Sequence, residues 1–464
     1  MTPVRRRPDG NNRLAAVLAD SGLSNAGLAR RVNDLARRQG VTTRYDKASV
    51  TRWLQGKHPR GRGPEFITTA LAERLGRTLI PADLGFVESD APPITVRALA
   101  YAEDVADSLH TIAELGSIDI SRRSLLGVVP FTLDSLAAPQ RHWLLWLAEL
   151  DDSLPPKLAA ACDGGVVGPV HFMIQTFDEM DNRFGGAHVR AAIVHYLTTE
   201  VIPLLQRHGI PEKQRQPLFT AAAKLAATAG WSSYDSAEYG LAERYMIQAL
   251  RFCQEGGDQV LGGQIWAGLS HLTTNLGHPR EGVDLARAGL ATAKHSGSPL
   301  GLMRLHAMAA RGHAAQGNTR QATVSLTAAE AALDASGGPD HESPWVRYLD
   351  RHYLEAEAAH CFRDLGDARN AAASAASSVR ANAQRGRRHA ISQSLLATAQ
   401  LQQHQLDAAL HTAKLALDKL GSGAVHSERT VQTLRDFRTR LAPHRNKPAV
   451  RDFERSAIPV LGAA

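Results

Sequence analysis

From about residue 187 onward the chain repeats one motif, a helical run, a short polar turn and a second helical run. The turns read Leu276-Gly277-His278, Gln316-Gly317-Asn318, Leu365-Gly366-Asp367 and Gln403-His404-Gln405. Before them lie the runs from Leu261 to Leu272, Leu302 to Ala315, Tyr353 to Phe362 and Ile391 to Leu401. After them the chain reaches similar endings at Gly289-Leu290, Ala332-Leu333, Ser378-Val379 and Leu415-Ala416-Leu417, with an earlier ending of the same kind at Ala249-Leu250. The unit recurs every 38–49 residues. A helical hairpin of this size cannot bury its apolar face alone, so its neighbours must supply the core, and the pattern predicts an α-solenoid. Composition agrees. Apolar residues make up 44% of the chain and aromatics only 5%, and the excess is Ala and Leu, which favour helix over strand.

The N-terminal part has another organisation. Residues 1–10 read as a basic arm. A helix is expected from Asn12 to Asp20 through Leu14, Val17 and Leu18, stopped by Ser21-Gly22. Ser24 caps a second, whose apolar face is Leu28, Ala29, Val32, Leu35 and Ala36 and which ends at Gly40. Asp46 caps a third, Lys47 to Gln55, closed by Gly56, and Pro64 opens a fourth through Ile67, Leu71 and Leu75. The expected organisation is a helix-turn-helix domain over 11–86, a helical linker and candidate dimerisation region over 87–140, repeats over 141–440 and a tail over 441–464. Within it, helix is expected from Thr95 to Leu115 and again from Ser121, as cap, to Val129. The Gly-rich stretch from Ala161 to Gln175 reads as a loop or extended connection.

Charge separates the two parts. The net charge is +7, yet residues 1–81 alone carry 16 Lys and Arg against 6 Asp and Glu. The basic excess is therefore confined to the N-terminal segment, and double-stranded DNA is the expected partner. In a helix-turn-helix the third helix enters the major groove. Val50, Trp53 and Leu54 are expected in the core, leaving Lys47, Ser49, Thr51 and Arg52 outward. Lys47 and Ser49 are placed near bases and Arg52 near a base or phosphate, while Arg44, Lys57, His58, Arg60 and Arg62 flank the helix as phosphate contacts.

The runs Gly27-Leu-Ala-Arg-Arg-Val-Asn33, Tyr45-Asp-Lys-Ala-Ser-Val-Thr-Arg-Trp-Leu-Gln-Gly56 and Pro59-Arg-Gly resemble the lambda-repressor-like (Cro/C1-type) helix-turn-helix of actinobacterial regulators. The stretches Phe172 to Asp181, Ala229 to Asp235 and Ala242 to Leu250 resemble the tetratricopeptide-like part of the same proteins. The resemblance implies an all-α transcription regulator with Lys47 opening its recognition helix. Two features depart from it: a longer segment between helices two and three, and repeats longer than 34 residues.

Other classes find little support in the residues. The three cysteines, Cys162, Cys253 and Cys361, are widely separated, with no zinc-site spacing. Twenty histidines are scattered, and no HExxH, GxSxG or Walker A run occurs. The expectation is a non-enzymatic, cytoplasmic protein with no catalytic residues, cofactor or metal and no membrane partner. It would act as a homodimer on an inverted repeat, with a small-molecule, peptide or protein effector on the repeats. The alternative is a regulatory scaffold binding a protein or peptide, with little or no specific DNA binding. Trp231, Tyr234, Trp266 and Trp345 are candidates for the concave face or for packing between repeats.

Overall fold

The computed structural model describes residues 10–38, 41–59, 63–75, 79, 81–86, 93–121, 129–150, 165–184, 186–207 and 209–462. The chain divides into two units, Met1–Pro93 and Ile94–Ala464, and every regular element described is helical.

The first unit contains α1 (Asn12–Ser21), α2 (Asn25–Arg38), α3 (Lys47–Leu54) and α4 (Gly63–Leu75). Their ends follow from local chemistry. The Asn11 side chain accepts from the Leu14 amide, and Gly22 closes α1 in the left-handed region. Ser24 Oγ accepts from the Gly27 amide. Asp46 and Ser49 form a reciprocal capping box at the start of α3. Leu14, Leu28, Val32, Val50, Trp53, Ile67, Leu71 and Phe86 meet in one core. The segment before α3 is pinned by Asn33, whose Nδ2 donates to the Tyr45 carbonyl while its Oδ1 accepts from the Tyr45 amide and the Thr43 hydroxyl. Tyr45 then meets Trp53 edge-on at 5.0 Å.

The second unit opens with α5 (Ile94–Arg97), α6 (Val105–Ser121), α7 (Ala137–Glu149), α8 (Val167–Phe184), α9 (Gly186–Tyr196) and α10 (Ile202–Gln206). Helical hairpins follow. They pair α11 (Glu212–Asp235) with α12 (Tyr239–Gly256), α13 (Gln259–Asn275) with α14 (Pro279–Ser296), and α15 (Pro299–Ala315) with α16 (Thr319–Asp334). Next come α17 (Arg351–Asp364) with α18 (Ala368–Ala381) and α19 (Gly386–Gln402) with α20 (Leu406–Gly421), before α21 (Glu428–Arg440) and α22 (Pro448–Leu461).

The turns inside the first five hairpins share one geometry. Ala237, Gly277, Gly317, Gly366 and His404 all have positive φ, between 62° and 91°. The next amide in each case bonds five residues back: Glu238 to Ser233, His278 to Thr273, Asn318 to His313, Asp367 to Phe362 and Gln405 to Gln400. This is a Schellman closure, which satisfies carbonyls that a helix end leaves free. Glycine suits the position because it has no Cβ to clash there. Ala237 and His404 occupy it at a cost.

Several expectations are corrected. The helix expected from Thr95 to Leu115 is two helices, because the carbonyls between them are claimed by α12. Gln248 donates to Ala98 and Ala100, and Arg251 to Ala102 and Glu103. Ser121 is the last described residue of α6, and 122–128, over which a second helix is expected, lie outside the described residues. The loop or extended segment expected from Ala161 to Gln175 is helical from Val167, since Val167, Val170, Ile174 and Phe177 recur at helical spacing and are buried. Residues 87–140 do not form a linker beyond Ile94: Leu109, Ile112 and Leu115 share a core with Tyr245 and Ile247. Nor are residues 441–464 a tail. Val450, Phe453, Ala457 and Leu461 of α22 pack with Leu434 and Phe437 of α21.

A buried polar cluster ties the opening helices to the first hairpin. Arg190 of α9, 1% exposed, donates to Asp119 of α6 at 2.9 Å and to Glu238 at 3.0 Å, and Tyr245 donates to Asp119. Removing one partner of such a pair strands the other.

The turn geometry generates a paired test. His404→Gly should raise stability by about 1 kcal/mol by removing left-handed strain, and Gly277→Ala should lower it by a similar amount. No atom lies within 4 Å of a Cβ built at Gly277, so packing does not complicate the comparison. Thermal unfolding reads both, and two unchanged midpoints would contradict a common turn.

Candidate functional site

The first helix of each hairpin faces inward. Trp231 and Asp235 of α11, Gln264 and His271 of α13, Arg304 and Arg311 of α15, and Tyr353 and Glu357 of α17 line one cavity of about 750 Å³. Arg387 and Arg388 of α19, Arg429 of α21, Asp178 and Asp181 of α8, and Trp345 and Tyr348 from the segment before α17 complete it. Residues seven apart, such as Gln264 and His271 or Arg304 and Arg311, stand two turns apart on one helical face. The remaining faces carry the apolar contacts between repeats.

Asp235 closes the wall. Arg387 reaches it at 2.7 Å and Arg429 at 2.6 Å, and the Ser427 hydroxyl donates to it at 3.1 Å. The arginines lie 152 and 194 residues further along the chain, so the last helices return to the first hairpin. Gln432 also donates to the Tyr239 hydroxyl, and Arg387 bonds Asp181 of α8 at 3.1 Å. Burial opposes ionisation of Asp235, but Arg429 and Arg387 prevail and hold its carboxyl at about 2, below the ordinary 3.8.

The interior is rich in guanidinium groups. Arg311 bonds Glu357 at 3.1 Å, His271 Nδ1 at 3.0 Å and Asn275 Oδ1 at 3.0 Å. Burial and then the Arg311 charge push His271 well below its usual range, so its ring is neutral. His360 is held down in the same way. Tyr234 is raised to about 12 by burial. Arg304 and Arg429 each stack 5.4 Å from the Trp231 ring centre. Arg304 donates to Gln264 Oε1 and the Tyr348 hydroxyl, and Arg388 lies over Tyr348 and Tyr353.

Of the four aromatics considered for the concave face, Trp231 and Trp345 line the cavity. Trp266 and Tyr234 are buried in packing, the former against Trp143. Sequence reasoning missed the arginines altogether. Their signal was present as polar residues seven apart on otherwise apolar first helices.

In the N-terminal unit, Arg44, Lys47, Arg52, Lys57 and His58 are exposed. Val50 and Trp53 are buried and Leu54 is half-buried. Ser49 departs from its expected place. It is 6% exposed, and its hydroxyl donates to Asp46 at 2.7 Å and accepts from Arg52 at 3.2 Å, so capping consumes it. Thr51 is half-buried, donating to the Lys47 carbonyl and accepting from Asn25 Nδ2. Arg60 and Arg62 lie outside the described residues.

Residues 14–87 match the family model described as the SP15 N-terminal domain. No curated protein matches the chain. Among the described residues, no group of three or more His, Cys, Asp or Glu is placed to hold a metal ion. No helix among them is long and apolar enough to cross a membrane. Cys253 and Cys361 are buried free thiols.

The latch makes a stability prediction with a defined sign. A depressed carboxyl contributes stability that is present above its unfolded value and lost as pH falls through the folded one, here from about pH 4 toward about pH 2. Asp235→Asn should lower stability at neutral pH by roughly 3 kcal/mol, because the half-buried Arg429 loses its carboxylate and Arg387 keeps only Asp181. It should also flatten the pH dependence in that window. Denaturant unfolding across pH measures both, and a variant matching the native curve would contradict the role given to Asp235.

Proposed function

We propose that this chain is a regulatory binding protein whose repeat unit receives an effector in its interior cavity. The observation carrying this reading is the inward convergence of arginines and aromatics from the first helices of successive hairpins. Volume supports it, since about 750 Å³ falls in the range of roughly 300–1,000 Å³ typical of ligand sites. Helical repeats present such surfaces by construction, because side chains facing the superhelix axis are spared from packing between units.

A chamber-filling variant tests it. Ala356 borders the cavity, and Ala356→Trp should occlude it. The low-molecular-weight fraction of the native cells should raise the unfolding midpoint of the native chain by about 2–4 °C, as a ligand near saturation does in a protein of this size. The rise should vanish in the variant. Loss of activity after protease treatment of the fraction would mark the effector as a peptide. An equal rise in Ala356→Trp, or none in either chain, would overturn the reading.

A second reading concerns the N-terminal unit, which would dock on double-stranded DNA, two copies on an inverted repeat. Its support is the basic excess of residues 1–81 and the exposure of Lys47 and Arg52 on α3, beside a scaffold that the capping box and Asn33 hold in place. The lambda-repressor-like regulators that this unit resembles would supply the same role. Selection from genomic fragments should enrich an inverted-repeat motif, and Lys47→Ala with Arg52→Ala should abolish the enrichment while leaving folding intact. No enrichment with the native chain would leave the protein as a scaffold.

A further inference from the structure

We infer that the effector is a compact amphiphilic oxyanion, a carboxylate or phosphate head on an apolar body, and that Arg304 and Arg388 bind the head. The inference rests on the cavity being a receptor and names what it receives.

Charge bookkeeping in the cavity singles out these two residues once Arg347 is set aside, an exposed side chain whose Nε donates to the Glu342 carbonyl. Arg311 is matched by Glu357, Arg387 by Asp181 and Asp235, Arg429 by Asp235, and Lys224 by Asp178. Arg363 pairs with Asp364 and Asp436. Arg304 has no carboxylate partner among the described residues. It is 6% exposed, its contacts are Gln264, Tyr348, Tyr353 and the Trp231 ring, the one acid whose charge acts on it, Glu357, is already bonded to Arg311, and its Nε has no hydrogen-bond partner. Gln264 Nε2, on a side chain 5% exposed, is also without one. Arg388 lies over the faces of Tyr348 and Tyr353 and has no ion pair among the described residues, the charge of Asp350 acting on it from further off. A buried cation without an anion is unfavourable, and a buried unpartnered donor adds to the cost. Arg304 and Arg388 both meet the Tyr348 side chain, Arg304 at the hydroxyl and Arg388 at the ring. One oxyanion near that tyrosine would answer both charges, with bidentate geometry open to either guanidinium.

Size and lining set the remainder of the ligand. Leu261, Ile265, Trp345, Ala356 and Ile391 supply apolar wall. The Asp235 latch joins the two ends of the array, so the cavity suits a compact molecule better than an extended strand of peptide. The arginines themselves are stacked on aromatic rings, which orients them before any ligand arrives and limits the ordering that binding must impose.

The test uses the full chain and three matched probes: phenyl phosphate, benzoate and neutral benzyl alcohol, titrated by calorimetry at constant ionic strength, with tryptophan fluorescence as a second readout. The two anions should bind with Kd below about 1 mM, and the alcohol at least about tenfold more weakly. Arg304→Met and Arg388→Met should each weaken the anions about tenfold or more and leave the alcohol unchanged, while Arg320→Met, exposed on α16, should change nothing. Circular dichroism and thermal unfolding verify the fold, and the partly exposed Arg388 provides a variant with less structural risk than Arg304. Equal binding of alcohol and anions, or anion binding indifferent to both substitutions, would overturn the inference. Failure of all three probes would do the same. In each case the midpoint rise given by the cell fraction and its loss in Ala356→Trp still decide separately whether the cavity is a receptor.

Discussion

The bond between Asp235 and the pair Arg387 and Arg429 is the constraint on which the repeat unit turns. A stack of helical hairpins interacts only with its neighbours and has two ends. Here the end of the first hairpin's inner helix holds a buried carboxylate, and two later inner helices bring it guanidinium groups. The array is thereby closed on itself, and its inner faces become the wall of a cavity. Desolvation works against such a charge cluster, and its geometry offsets that cost: three donor residues converge on one carboxylate whose two oxygens are both engaged.

Closure changes the energetics of what faces inward. Polar residues on an open concave surface would be hydrated and individually unremarkable. Within the closed wall, His271 and His360 are kept neutral and the arginines are stacked on rings or locked onto acids. Two of the arginines withdrawn from solvent, Arg304 and Arg388, have no ion pair among the described residues. The proposed oxyanion ligand follows from that imbalance, and so does the view of the repeats as a receptor instead of a simple spacer.

The repeats themselves were legible in the sequence because their turns require a left-handed residue, and Gly277, Gly317 and Gly366 advertise it. The first turn escaped notice since Ala237 occupies the same backbone position, where composition carries no signal. Helix α8 was hidden by glycines that precede it, although its valines keep helical spacing. Ser49 was misplaced because an Asp three residues before a Ser reads equally as an exposed face and as a capping box; only the folded turn shows the hydroxyl spent on Asp46. The cavity was illegible for a different reason. Its members come from helices more than two hundred residues apart, and no local pattern specifies that α21 returns to α11.

Closure of the array is the central claim, and a distance measurement tests it most directly. Spin labels placed at Glu179 on α8 and Arg385 beside α19, both exposed, report on the junction by pulsed electron resonance. The expected result is one narrow distance distribution in the otherwise native chain that broadens and lengthens when Asp235 is replaced by Asn. A broad distribution with Asp235 in place, or an identical narrow one without it, would contradict the account.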